Sequence, residues 1–281
     1  MKKRRVLLLG GSGYLGAQIY DCLRQDGENE VLATCFSAGQ ANHLIRLDVT
    51  DEPSFVQLLQ EFSPDVVIWT LMSSMDEQVM IKSGISTLLA HLREESKVIY
   101  ISSDGIFGQG TGAFAEEDEV VPLDERNPLA PYSRAKQMGE ELVQKRHGNH
   151  VIARIGPIYG CNSAGKWDKR VASMKTELVA GREITRPGNL YKTFVHVEDL
   201  GLSICELAAG AFTGTLHLGP SAKESYYSFF RKLAAALGLN VNLIKENRLS
   251  EEEARERGVP LDTSLDTRMA SRLLHTRFRQ A

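Results

Sequence analysis

Two groups of residues, far apart in the chain, have the types and spacing to do chemistry. The first is Gly10-Gly11-Ser12-Gly13-Tyr14-Leu15-Gly16, which follows the apolar run Val6-Leu7-Leu8-Leu9. An apolar strand feeding a glycine turn that opens a helix presents unpaired N–H groups and a positive dipole end, an arrangement suited to a pyrophosphate. The second is Tyr132-Ser133-Arg134-Ala135-Lys136, which sets a tyrosine and a lysine one helical turn apart on one face. An ammonium beside a phenol favours the phenolate. The spacing therefore predicts that Lys136 draws the Tyr132 pKa down toward the working pH and makes it a usable acid or base. Each pattern arises by chance; their conjunction, in this order, reads as a nucleotide cradle coupled to a proton donor.

These groups need a scaffold, and the patterning of the chain supplies one. Strands are predicted near residues 5–9, 30–35, 43–47, 65–71, 97–102 and 150–154, alternating with helices near 14–26, 51–62, 76–95 and 131–147. That alternation predicts an α/β fold with a doubly wound parallel sheet. Thr50-Asp51-Glu52-Pro53 reads as a helix start, with a capping hydroxyl, early acids and a proline in the first turn. Beyond residue 154 the pattern loosens into a helix near 167–181, a strand near 191–196, a helix near 197–210, a strand near 214–218 and a helix near 224–238. An acidic helix follows around Ser250-Glu251-Glu252-Glu253. The expected division is a dinucleotide-binding domain over 1–154, with contributions from later segments, and a smaller, mainly substrate-binding lobe over 155–281. Gly108 to Pro131, rich in Gly, Asp, Glu and Pro, reads as a long loop at the carboxyl end of a parallel strand, where ligands tend to sit.

A chain of 281 residues can bury a sizeable core. Its formal net charge of -3, with both signs interspersed, argues against nucleic acid or an anionic membrane as partner. The basic cluster Lys2-Lys3-Arg4-Arg5 reads as a solvated lead-in to the first strand. Cys22, Cys35, Cys161 and Cys205 are widely spaced, so reduced thiols and no metal site are expected. No apolar run approaches the length of a membrane span, and the charged start leads straight into a strand rather than a signal-peptide core. A cytoplasmic location is the expectation.

Further motifs add a resemblance. They are "LDVTD" at 47–51, "VIYISSDGIFGQGTGAFAEED" at 98–118, "PLAPYSRAKQMGEE" at 128–141, "RIGPIYG" at 154–160, "TFVHVEDLG" at 193–201 and "PLDTSLDT" at 260–267. With the glycine turn at 10–16, they make the chain resemble the extended short-chain dehydrogenase/reductase superfamily, and within it the dTDP-4-dehydrorhamnose reductase branch. The resemblance implies a Rossmann-type fold and a catalytic trio of Ser103, Tyr132 and Lys136. In that trio Ser103 hydrogen-bonds a substrate carbonyl, Tyr132 protonates the developing alkoxide, and Lys136 also bonds the nicotinamide ribose. Cofactor contacts are implied at Gly10, Gly13, Tyr14, Leu15, Gly16, Ser37, Asp48, Val49, Tyr132 and Lys136. Asp48 matches the position that reads the adenine, and it also suits a helix cap. The second strand ends in Thr34-Cys35-Phe36-Ser37, with neither a carboxylate to repel a 2′-phosphate nor a cation to bind it. NADP(H) is the favoured cofactor, with NAD(H) as the alternative.

The implied reaction is reduction of a keto group on a deoxy-sugar nucleotide by NAD(P)H. Asp104, Arg154, Asn162, Trp167 and Lys192, with Lys166, are candidates to line the substrate site, since a nucleotide sugar carries an anionic diphosphate and an aromatic base. His196-Val197-Glu198-Asp199 reads as a structural strand-to-helix junction. A homodimer through the helices at 76–95 and 131–147 is also implied, although Leu88, Leu89 and Leu92 suit this chain's own core equally well. The chain departs from the branch at Trp69-Thr70-Leu71-Met72, which is bulkier beside the cofactor, at Ser83-Gly84 in place of an asparagine, and at Gly105 in place of a tyrosine that shapes the sugar site. Two other functions use the same residues: a nucleotide-sugar epimerase or dehydratase, and a non-catalytic dinucleotide-binding regulatory subunit.

Overall fold

A computed structural model describes residues 3–25, 27–37, 43–73 and 76–281. The first part of the chain forms β1 (Arg4–Leu9), α1 (Tyr14–Gln25), β2 (Asn29–Cys35), β3 (Leu44–Arg46), α2 (Glu52–Phe62), β4 (Val66–Trp69), α3 (Glu77–His91), β5 (Lys97–Ile101), α4 (Ala130–Arg146) and β6 (His150–Ile155). After these come β7 (Ile158–Tyr159), α5 (Lys169–Val179), β8 (Ile184–Pro187), β9 (Tyr191–Lys192), β10 (Val195–His196), α6 (Val197–Ala209) and β11 (Gly214–Leu218). The last elements are β12 (Glu224–Ser225), α7 (Tyr226–Ala236), β13 (Ile244–Asn247), α8 (Glu251–Glu256) and α9 (Arg268–Leu273).

Seven strands form one parallel sheet in the order β3-β2-β1-β4-β5-β6-β11. The chain winds outward from β1 to β3, then returns to β4 on the other side. The carboxyl ends of β1 and β4 therefore flank the crevice where this topology binds ligands. Residues alternate across the sheet: Val6 and Leu8 enter a core shared with α1 and α6, while Leu7 and Leu9 enter a second core with α2, α3 and α4. Burial on both faces explains why these strands are unbroken apolar runs.

The expected strand at 191–196 is two short strands, because Tyr191–Lys192 pairs with β12 and Val195–His196 with β7. Between them the chain presses against Gly156, where a Cβ would lie 1.9 Å from the Thr193 carbonyl oxygen. β8 and β13 form a separate parallel pair, each too short to leave a periodic signature. Beside them a third core gathers Tyr159, Met174, Phe194, Phe229 and Phe230.

Two departures from the family pattern turn out to be one adjustment. Trp69 is fully buried, and a Cβ on Gly84 would stand 2.6 Å from its ring and 3.0 Å from Val49. The bulk of Trp69 is absorbed beneath α3, whereas Leu71 reaches the glycine turn, its Cδ2 3.1 Å from where a Cβ on Gly10 would stand, and Met72 is exposed. Leu88 is fully buried in that core and so faces its own chain, while Leu89 and Leu92 pack against it half-buried. Among the described residues no helix is long and apolar enough to cross a membrane.

Candidate active site

The glycine turn leaves β1 at its carboxyl end. Gly10 has φ +95°, a conformation that glycine takes without a steric cost. At Gly16 a Cβ would lie 2.1 Å from the Gly10 carbonyl oxygen, so only glycine lets α1 start this close to the turn. The Gly13 N–H donates to that carbonyl at 2.9 Å, and no acidic residue sits in the first turn of α1 to oppose an anion. The cradle therefore fits a pyrophosphate. Tyr14 and Leu15 offer it only backbone groups: the Tyr14 hydroxyl donates to the Gly160 carbonyl at 2.8 Å, and Leu15 is buried.

At the edge expected to hold the adenosine, Ser37 and Asp48 are exposed. One oxygen of Asp48 accepts the Thr50 N–H at 2.9 Å and its hydroxyl at 2.7 Å, closing a local turn rather than capping α2, whose N-cap is Asp51; the other oxygen stays free of protein hydrogen bonds among the described residues. The Val49 side chain goes into the core, which leaves only its backbone to face a base. Arg46, not anticipated from the sequence, pairs in register with Cys35 at the end of β2. It is exposed, and its guanidinium has no ion pair or hydrogen bond among the described residues. Register between β2 and β3, which no linear motif encodes, brings it there.

The reactive groups meet at the carboxyl end of β5. Ser103 stands two residues past the end of that strand, and its hydroxyl oxygen accepts the Gly105 N–H at 3.0 Å. The same hydroxyl is within hydrogen-bonding reach of the Tyr132 phenol. Tyr132 and Lys136 lie in the first two turns of α4, whose close approach to the sheet depends on Gly139: a Cβ there would stand 2.2 Å from the Tyr100 hydroxyl oxygen. The Lys136 ammonium is 5.6 Å from the centre of the Tyr132 ring.

The Tyr132 pKa is raised rather than drawn down as expected. Burial, the largest cause, pushes the Tyr132 pKa well up; the Ser103 hydrogen bond pulls it down, and the Glu77 and Asp104 charges push it up again. The Lys136 ammonium is itself ion-paired, 3.4 Å from Glu77. Burial also lowers Lys136, with Glu77 acting against the fall.

Next to Ser103, Asp104 meets Lys192 at 2.9 Å and also accepts from the Thr263 hydroxyl. Lys192 donates to Thr263 as well. Thr263 arrives because the segment around it runs between the long loop and β9: Phe114 N–H donates to the Ser264 carbonyl at 2.9 Å, and Leu265 N–H to Thr193 Oγ1 at 2.9 Å. The structure thus brings together Ser103, Asp104, Tyr132, Lys136 and Lys192, and adds Glu77 and Thr263. The family motif at 260–267 contained Thr263; nothing in the sequence marked Glu77.

Other expected substrate residues are engaged elsewhere. The Arg154 guanidinium is buried and donates to Glu140 at 2.8 Å, to the Glu116 carbonyl at 3.2 Å and toward His217 at 3.4 Å. Asn162 donates to the Tyr14 carbonyl at 2.8 Å and accepts the Lys166 N–H at 2.9 Å, clamping its turn onto α1. Trp167 packs on the third core, with Lys175 4.0 Å above its ring. At the His196 junction, Arg279 binds both Glu198 and Asp199 at 2.9 and 2.6 Å, satisfying the acids electrostatically.

A parallel sheet with this turn and this serine, tyrosine and lysine set at its carboxyl edge defines an NAD(P)-dependent oxidoreductase. Residues 6–209 match the family model for the NAD dependent epimerase/dehydratase family. The chain therefore belongs to that family, one of the extended short-chain dehydrogenases/reductases. It is 25% identical to the "Probable low-salt glycan biosynthesis reductase Agl14" of Haloferax volcanii, over 91% of this chain and 88% of that protein. It is 27% identical to a dTDP-4-dehydrorhamnose reductase of Aggregatibacter actinomycetemcomitans, over 56% of this chain and 52% of that one. The crystal structure of the dTDP-4-dehydrorhamnose reductase from Bacillus anthracis str. Ames in complex with NADP shares its fold, with a TM-score of 0.78 at 20% identity, over 97% of this chain and 92% of that one.

Proposed function

We propose that this protein reduces a keto group on a deoxy-sugar nucleotide, using NADPH in preference to NADH. The observation that carries this reading is the adjacency of two groups. The Ser103 hydroxyl lies in reach of the Tyr132 phenol, and one residue on, Asp104 joins Lys192 and Thr263 into a polar cluster able to hold sugar hydroxyls.

The bound dinucleotide supplies the hydride. Ser103 donates a hydrogen bond to the substrate carbonyl, so that charge developing on its oxygen is stabilised. Tyr132, whose burial favours the neutral phenol, gives its proton to that oxygen. Lys136 holds the ribose beside the tyrosine.

Two features support the nucleotide and the cofactor. A cavity of about 480 Å³ is lined by Lys169, Arg170, Arg186, Leu190, Tyr226 and Phe230, and Leu190 leads directly into the strand that carries Lys192. Arg186 lies 4.5 Å over the Phe230 ring and has no carboxylate partner among the described residues, which suits a diphosphate with an attached base. Arg46, at the end of β3, supplies the cation for a 2′-phosphate that the end of β2 lacks.

The test is loss of NADPH and NADH absorbance with enzymatically prepared dTDP-4-keto-6-deoxy-sugars. Tyr132→Phe should lower turnover by about 10²- to 10⁴-fold while dinucleotide affinity is retained. Near-normal turnover in that variant would refute the mechanism.

A further inference from the structure

The glycine turn and the basic cavity each open at the start of a helix. The turn leads into α1, while Lys169, Arg170 and Ser173 at the start of α5 line the cavity. Residues 160–168 join the two, and one side chain of the turn closes that stretch. Tyr14, the first residue of α1, donates its hydroxyl to the Gly160 carbonyl at 2.8 Å. The same hydroxyl is in reach of the Asp168 N–H, which also meets the Gly160 carbonyl at 3.3 Å. Burial, with the Asp168 charge next, raises the Tyr14 pKa and keeps the phenol a neutral donor.

Other bonds clamp only the beginning of the stretch. Asn162 donates to the Tyr14 carbonyl at 2.8 Å, the Ser163 N–H to Gln18 Oε1 at 2.9 Å, and the Ser163 hydroxyl to the Ala17 carbonyl at 3.3 Å. The Tyr14 hydroxyl differs from these because it meets the first residue, Gly160, and the last, Asp168. Asp168 in turn caps α5, accepting the Arg170 N–H at 3.0 Å and the Val171 N–H at 3.4 Å. Its carboxylate also takes the Arg170 guanidinium through Nε at 3.0 Å and Nη2 at 3.1 Å. The cation at the cavity wall is thus held by a carboxylate whose own backbone rests on Tyr14.

We infer that Tyr14 is a positioning residue for the nucleotide end of the substrate: its hydroxyl closes residues 160–168 and sets Arg170 at a fixed place relative to the dinucleotide cradle. This rests on the reading of the cavity as the seat of a nucleoside diphosphate. The cradle uses only backbone groups of Tyr14, so its phenol serves the second ligand rather than the first. A dinucleotide anchored at α1 and a nucleotide sugar anchored at α5 must bring two carbons together, and a misplacement of about 1 Å is costly to such a transfer. Tying both anchors to one side chain fixes their separation.

The experiment needs no sugar. dTDP and UDP are titrated calorimetrically into NADP⁺-loaded protein, and NADP⁺ into the bare protein. Tyr14→Phe keeps the ring against the first core and removes one oxygen. It should weaken binding of the nucleoside diphosphate by about three- to tenfold, the worth of one hydrogen bond, and change NADP⁺ binding by under about twofold. Arg170→Met removes the far end of the chain of contacts. In that background Tyr14→Phe should alter nucleoside diphosphate binding by under about twofold, since groups acting through one network are not additive.

An equal loss in both backgrounds would mark Tyr14 as a general structural prop, and a loss confined to NADP⁺ would make it a cofactor residue; either result overturns the inference. Unchanged affinity for both ligands in Tyr14→Phe overturns it as well, while leaving the cavity reading intact if Arg186→Ala abolishes nucleoside diphosphate binding. Wild type that binds neither dTDP nor UDP, or binds them as well after Arg186→Ala, defeats the cavity reading, and the role of Tyr14 falls with it.

Discussion

Replacing Arg154 by methionine separates a substrate contact from a buried strut. The family resemblance implies the first; the structure engages the guanidinium with Glu140, the two side chains being 5% and 4% exposed. Losing it would strand the Glu140 carboxylate in the core, free the Glu116 carbonyl from its donor and remove the cation stacked 5.3 Å from the Phe107 ring. Breaking one side of a buried ion pair costs about 3–5 kcal/mol, a large part of the roughly 5–15 kcal/mol that holds a typical domain folded. Urea unfolding followed by circular dichroism should therefore show a lower midpoint for Arg154→Met at an unchanged slope. Adding Glu140→Met removes the orphaned charge, and the double variant should recover most of the loss, because apolar replacements of a buried pair are often neutral or better. A loss below about 1 kcal/mol, together with a raised KM for the sugar, would show that Arg154 contacts substrate and that the strut argument is wrong.

Two further outcomes are expected. Arg46→Ala should weaken NADPH binding about tenfold, near 1.4 kcal/mol for one exposed charge-assisted contact, and leave NADH binding unchanged; equal effects on both dinucleotides by fluorescence titration would remove Arg46 from the 2′-phosphate site. Burial, assisted by the Arg154 charge, holds the His217 imidazole down at about 4, against an ordinary value of 6.5. The unfolded chain takes up a proton there before the folded one does, so this stabilisation is full above pH 6.5 and declines as pH falls toward 4. It is worth up to about 3 kcal/mol. His217→Gln should flatten the acid side of the melting-temperature profile; Glu116, which burial raises, acts in the opposite sense in both proteins, and an unchanged profile would contradict the assignment.

Much of the scaffold could be read before any coordinates. Val6 to Leu9 and Val66 to Trp69 are apolar throughout because both faces of a parallel sheet are covered, and Gly10 and Gly16 stand where the turn tolerates no side chain. Ser103, Tyr132 and Lys136 were legible because a strand end and one helical turn fix their spacing locally. The split at Thr193-Phe194, the β8 and β13 pair, and the partners of Arg154 and Asn162 were hidden, since each depends on a contact far away in sequence.

The sequence by itself determined the sheet, the glycine turn and the spacing of Ser103, Tyr132 and Lys136, all properties of periodicity and local turns. Tertiary structure alone decided the charge around that trio. α3 carries Glu77 to Lys136, and the segment around Thr263 folds back to Asp104. The charge that Tyr132 feels in that dry site is set by packing rather than by order along the chain.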